Sequence, residues 1–239
     1  MMKSLVWKVW FLLFMLFCLL AYAGLFVVKL FFPKTIQRRL INRWVRFWGR
    51  TVVLSTGSTV EVTGQENLPD SQSICFISNH QGFFDIPLVL GFAGRSLGFI
   101  AKQELFRIPV LSWWMKEIPC VFIDRGSARK AIKSFEVSAE VIRNGHPLVI
   151  FPEGTRSRND TMGEFHLGSL KLPVMAKATI VPLAIKGSWR VYEIDKKIHA
   201  TQLKLQILPA IYPDDPIYRD KHALSQRLWE MIQTALDAM

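Results

Sequence analysis

His80 follows an apolar strand through Phe76-Ile77-Ser78-Asn79, and Asp85 follows about one helical turn later, a spacing that lets a carboxylate meet an imidazole. A carboxylate that accepts from Nδ1 holds the ring in the tautomer whose Nε2 keeps its lone pair, and that nitrogen can take a proton from a hydroxyl group. By itself a histidine and an aspartate at this distance serve structure more often than catalysis. The weight therefore falls on what else the chain carries.

Two further segments, Val121-Phe122-Ile123-Asp124-Arg125 and Phe151-Pro152-Glu153-Gly154-Thr155-Arg156-Ser157, each run from an apolar strand straight into polar residues. Loops at strand ends are where sites collect. Arg125 and Arg156 could clamp a phosphate, because a guanidinium fork matches its oxygens and a charge-assisted hydrogen bond contributes roughly 1.5 to 3 kcal/mol. Glu153 could bond a glycerol hydroxyl or position an arginine, and Gly154 would let the backbone approach a ligand closely. Gly94-Arg95-Ser96-Leu97-Gly98 matches the G-x-S-x-G pattern of serine hydrolases. The pattern requires a strand before the serine and a helix after it, whereas here a helix is expected before and a strand after. No P-loop, zinc-ligand spacing or dinucleotide fingerprint occurs.

The elements that must position these residues are legible in the apolar spacing. Strands are expected at Val60–Thr63, Ile74–Ser78, Leu97–Ala101, Val121–Asp124, Leu148–Phe151, Ile180–Ile185 and Leu203–Ile207. Helices fall between them, one at Ala128–Arg143 ended by Asn144-Gly145, another around His222–Leu236. The pattern is α/β, a mixed central sheet flanked by helices, preceded by a two-helix membrane-binding segment. Residues 1–55 are expected to form that segment and residues 56–239 the globular domain.

Val9 to Val28 is free of charge, long enough as a helix to cross roughly 30 Å of hydrocarbon. Ala21-Tyr22-Ala23 imitates a signal-peptide cleavage site, but the apolar run continues past it to Phe31-Phe32. After Pro33, Ile36, Leu40, Trp44, Phe47, Trp48 and Val52 recur at helical spacing among Lys34, Arg38, Arg39, Arg43, Arg46 and Arg50, the pattern of a basic amphipathic helix lying among lipid headgroups. The formal charge of +11 is concentrated here: residues 1–50 carry nine Lys and Arg and no acid, which leaves 21 Lys and Arg against 19 Asp and Glu in the remainder. A nearly neutral domain argues against a nucleic-acid partner and for a bilayer. Basic residues following the apolar run place the domain on the cytoplasmic side of a membrane. Cys18, Cys75 and Cys120 have neither metal spacing nor an even count, consistent with buried thiols in a reducing compartment.

Taken together, Asn79-His80 with Asp85, Phe122–Arg125, Phe151–Ser157 and Ile180–Leu183 resemble the four ordered blocks of the glycerolipid acyltransferases. Pro119 departs from the pattern, standing where the second block usually has glycine. The resemblance implies that His80 and Asp85 are the catalytic pair. It also implies that Arg125, Glu153, Gly154, Thr155 and Arg156 bind the acceptor and that Lys102 meets its phosphate. The reaction implied carries a fatty acyl group from a thioester, of coenzyme A or acyl carrier protein, to the sn-2 hydroxyl of a 1-acylglycerol 3-phosphate. Neither a cofactor nor a metal is expected. Another lysolipid acceptor is the alternative, and a membrane scaffold without catalysis the remoter one. Of the other histidines, His146, His199 and His222 are expected at the surface or in structural roles; His166 follows the third block closely enough to line the acceptor site.

Overall fold

The structure is a computed structural model describing residues 2–123 and 128–239; Asp124 and Arg125 lie outside the described residues. Among these, β1 (Thr59–Thr63), β2 (Ile74–Ser78), β3 (Gly98–Lys102), β4 (Val121–Ile123), β5 (Leu148–Ile150), β6 (Thr179–Lys186) and β7 (Gln202–Ile207) form a single sheet in the order β1-β7-β6-β2-β5-β3-β4. Every pairing is parallel except that of β6 with β7. The expected strands are all present, their described ends moved by one residue at most.

β2 lies between β6 and β5, and all of its residues are buried. That explains its apolar run Ile74–Ile77, since a central parallel strand is covered on both faces. Ile74 and Phe76 pack on one side with α3 (Asp85–Phe92) and the first two helices. Cys75 and Ile77 pack on the other with residues of α5 (Ala128–Arg143), α6 (Lys171–Ala176) and α7 (Lys221–Ala238). α7 opens on Asp220, whose side chain accepts from the His222 and Ala223 amides, an N-cap that supplies otherwise unmet donors. Cys18, Cys75 and Cys120 are all free, and burial pushes the Cys120 thiol up to about 12.

The chain after β2 passes over β5 to reach β3, while the chain after β5 passes over β2 to reach β6. The two connections leave neighbouring strands in opposite directions and open a crevice at their carboxyl ends. Asn79 and His80 extend from β2 at this edge, Phe151–Ser157 from β5, Lys102 ends β3, and Gly187 follows β6.

α1 (Met2–Phe31) and α2 (Lys34–Leu54) form an antiparallel hairpin broken at Pro33. Trp7 Nε1 donates to Ser55 Oγ at 2.9 Å, Phe14 meets Phe47 edge-on and Phe17 lies against Trp44, so residue numbers fall on one helix as they rise on the other. α1 would be about 45 Å long at 1.5 Å per residue. It is long and apolar enough to cross a membrane, and most of its apolar surface is exposed, with Leu20, Phe26 and Phe31 all above 60%. Its other face carries Phe14, Cys18 and Leu25 into the same core as β2.

α2 joins the domain by a contact at backbone distance. A Cβ on Gly49 would lie 2.6 Å from Pro87 O and 2.7 Å from Gly91 N, and one on Gly91 would lie 2.8 Å from Arg50 N. Arg50 Nε closes the contact by donating to Gly91 O at 2.9 Å. Gly49→Ala must therefore move one helix against backbone, which overpacking data put at about 1 to 3 kcal/mol. A lowered Tm of the detergent-solubilised protein is expected for Gly49→Ala. Gly24→Ala, where a Cβ meets nothing within 4 Å, should show no such loss.

Candidate active site

Asp85 is the first residue of α3 and its side chain has no exposure. Such a carboxylate must be supplied with donors. Oδ2 accepts from His80 Nδ1 at 2.6 Å and from the Gly82 amide at 2.9 Å, and Oδ1 accepts from Ser188 Oγ. In the neutral ring, an Nδ1 that donates leaves the lone pair on Nε2.

The ring of His80 stacks on Phe151, centroids 4.1 Å apart and planes 18° from parallel. Its backbone is held on both sides by the loop after β5: Glu153 Oε1 accepts from the His80 amide at 2.6 Å, and the Ser157 amide donates to the His80 carbonyl at 2.8 Å. A second rung follows, the Arg158 amide donating to Gln81 O at 3.1 Å. Asn79 ties the same segment to β6, exchanging 2.8 Å hydrogen bonds with the amide and carbonyl of Ile185. The first and third sequence blocks thus form one unit.

Glu153 has a task that its sequence position did not disclose. Its side chain is buried and its second oxygen accepts from the Gly163 amide at 2.8 Å, so the carboxylate ties the turn after β2 to two points of the loop after β5 while still lining the cavity. Burial pushes its carboxyl above the usual range, and the hydrogen bonds from Gly163 and His80 pull it back. Gly154, at φ 69°, makes the left-handed turn directly after it, a conformation that glycine adopts without strain.

Arg156 is held by a carboxylate outside every block. Nη1 donates to Glu193 Oε1 at 2.8 Å, and the guanidinium carbon sits 3.7 Å from the centroid of Phe83. Glu193 is almost fully buried and also accepts from Lys196 Nζ at 2.6 Å. Lys102 is largely exposed and pairs with Glu104 at 2.9 Å, a contact weak enough to exchange for another anion. Arg125 lies outside the described residues.

A cavity of about 1210 Å³ joins these groups to the hairpin. Its lining includes His80, Lys102, Gly154, Thr155 and Arg156 together with Trp7, Phe11 and Trp44. It exceeds the roughly 300 to 1,000 Å³ of ordinary small-molecule sites. His166 lines it too, and shares a smaller cavity of about 360 Å³ with Glu153 and Thr155. Ser96 has no part in the site: α3 precedes it, β3 follows it, and its hydroxyl donates to Asn42 Oδ1 at 2.6 Å. Phe83, Ser188 and Glu193 were not anticipated from sequence. Ser188 had a signal, being a polar residue just past a strand end; Glu193 is too far from Arg156 in the chain for spacing to reveal it.

A family model described as Acyltransferase matches residues 59–186. A probable 1-acyl-sn-glycerol-3-phosphate acyltransferase of Mycoplasma genitalium is 33% identical over 195 residues, 79% of this chain and 70% of that one. A chloroplastic 1-acyl-sn-glycerol-3-phosphate acyltransferase of Arabidopsis thaliana is 32% identical over 165 residues, 69% of this chain; the match spans only 45% of that protein's length, and 38% of a Brassica napus relative's. The crystal structure of the 1-acyl-sn-glycerophosphate (LPA) acyltransferase of Thermotoga maritima superposes with a TM-score of 0.82 at 26% identity, covering 97% of this chain and 96% of that one. The matched residues enclose His80, Asp85, Glu153 and Arg156 in the geometry just described, and the chain belongs to the acyltransferase family.

Proposed function

We propose that the protein transfers a fatty acyl group from an acyl thioester to the sn-2 hydroxyl of 1-acylglycerol 3-phosphate, giving phosphatidate. The observation that carries the reading is the His80–Asp85 pair at 2.6 Å on the wall of a cavity that also holds Arg156. Nε2 of His80 removes the hydroxyl proton as the acceptor oxygen attacks the thioester carbonyl. The tetrahedral intermediate collapses, the C–S bond breaks, and the thiolate leaves with the proton returned by the imidazolium. No resident cofactor or metal enters this scheme, because the thioester brings the acyl group already activated. General-base assistance of this kind contributes roughly 10² to 10⁴ in rate. Arg156 and Lys102, with Arg125, take the phosphate, while Gly154 and Thr155 give the headgroup room. The apolar walls accept acyl chains at about 0.8 kcal/mol per buried CH₂. The donor is acyl-coenzyme A or acyl carrier protein.

The hairpin serves as the membrane anchor in this reading, with the domain on the cytoplasmic face. The contacts of α1 with the domain favour insertion in a single leaflet. Ser4 Oγ accepts from the Ile198 amide, Cys18 O accepts from Trp114 Nε1, and Tyr22 and Lys29 both donate to Glu117 Oε1. These points lie along about 37 Å of helix at 1.5 Å per residue. A helix standing across the bilayer would draw the domain through the hydrocarbon with it. The exposed arginines Arg39, Arg43 and Arg46 of α2 meet anionic headgroups.

The first test is mass-spectrometric detection of phosphatidate from purified protein given lysophosphatidate and acyl-coenzyme A. His80→Ala should lower kcat at least a hundredfold at unchanged Tm; a variant with full activity would remove the base from the mechanism. Arg156→Lys, which keeps the charge and loses the fork, should raise KM for lysophosphatidate roughly tenfold. It should leave KM for monoacylglycerol, which has no phosphate, unchanged. Equal effects on both acceptors would separate Arg156 from the headgroup.

A further inference from the structure

Ser188 lies beyond the residues matched by the family model and outside every motif in the sequence. It is placed by Gly187, which has φ 89° and on which a Cβ would lie 2.5 Å from Gln202 O, so only glycine fits the turn that ends β6. The turn directs a hydroxyl with 1% residue exposure at the catalytic carboxylate. Ser188 Oγ also lies 3.4 Å from Gln81 Oε1. The single hydroxyl proton goes to the shorter, charge-assisted contact with Asp85.

The partners of Asp85 are divided unequally. His80 Nδ1 and the Gly82 amide both bond Oδ2, whereas the only bond to Oδ1 among the described residues comes from Ser188. Without it Oδ1 would be a buried carboxylate oxygen with no donor, and rotation about χ2 would no longer be opposed on that side. Any such rotation carries Oδ2 away from Nδ1, and with it the constraint on the tautomer and plane of the His80 ring.

We propose that Ser188 is a positioning residue for the base: acting through Asp85, it fixes the carboxylate so that His80 presents Nε2 in the productive geometry. The proposal rests on His80 acting as the general base.

The experiment measures kcat and KM for lysophosphatidate and acyl-coenzyme A on the full chain in detergent. The variants are Ser188→Ala, Ser188→Thr, Ser188→Val, Asp85→Asn and the double variant Ser188→Ala with Asp85→Asn. Ser188→Ala should lower kcat about 10- to 100-fold, the range one hydrogen bond to a charged group supports, with both KM values within about twofold. Threonine and valine have the same shape at this position, so recovery by Thr and none by Val isolates the hydroxyl from the packing. In the Asp85→Asn background, where the carboxylate no longer sets the tautomer, adding Ser188→Ala should cost less than about twofold. Losses that multiply in the double variant, equal activity of Thr and Val, or a change in KM in place of kcat would each overturn the proposal. Full activity of Asp85→Asn would overturn it together with the orienting role of Asp85, whereas the base assignment itself falls only if His80→Ala keeps full activity.

Discussion

A carboxylate with no access to water is tolerated only where its oxygens are met by donors, since stripping its hydration costs several kcal/mol otherwise. Asp85 is such a group, and its donors come from separate parts of the chain: the turn after β2 and the turn after β6. Those turns can converge only if β6 lies beside β2, as it does through the parallel register from Ile74–Thr179 to Ser78–Leu183. Continued by one residue, the same register sets Asn79 beside Ala184, and the Asn79 side chain bonds the amide and carbonyl of the next residue of β6, Ile185. Sheet order and the geometry of the His80–Asp85 pair are therefore one requirement.

Positioning is divided among groups that do no chemistry. Glu153 and the Ser157 amide secure the backbone of His80, Phe151 supports its ring, and Glu193 holds Arg156 against Phe83. Glu153 and Glu193 are buried and Phe151 is stacked, so His80 and Arg156 are stiff relative to each other at the wall of an open cavity. Fixing the groups in advance lowers the cost of reaching the transition state, because little reorganisation remains when the charge develops.

The strands were legible in the sequence because buried strands must be apolar, and the hairpin because an uncharged apolar run and a basic amphipathic one, separated by Pro33, have opposite compositions. His80, Asp85 and Arg156 could be named as candidates because they stand in segments that follow apolar strands or at a helix start. Glu153 was found as a residue of interest, but its use as a bridge between the His80 and Gly163 amides depends on loop conformation that spacing does not encode. Ser188 and Glu193 were silent for a related reason: they meet Asp85 and Arg156 only after the chain has wound through several elements. Short-range pattern reports periodicity and strand ends. It says little about which distant side chain completes a buried charge.

The contact between Gly49 and Gly91 also limits how the chain can vary in length. Gly49 fits only where it meets α3, while Arg39, Arg43 and Arg46 occupy the exposed side of the same helix. An added or deleted residue between Arg43 and Gly49 would turn one half of α2 against the other by about 100°. Either the glycine would leave its seat or the arginines would swing toward the domain. Insertions are thus excluded between Arg43 and Gly49, and the break at Phe32-Pro33, where no helical phase is transmitted, is the place where the hairpin can gain or lose residues.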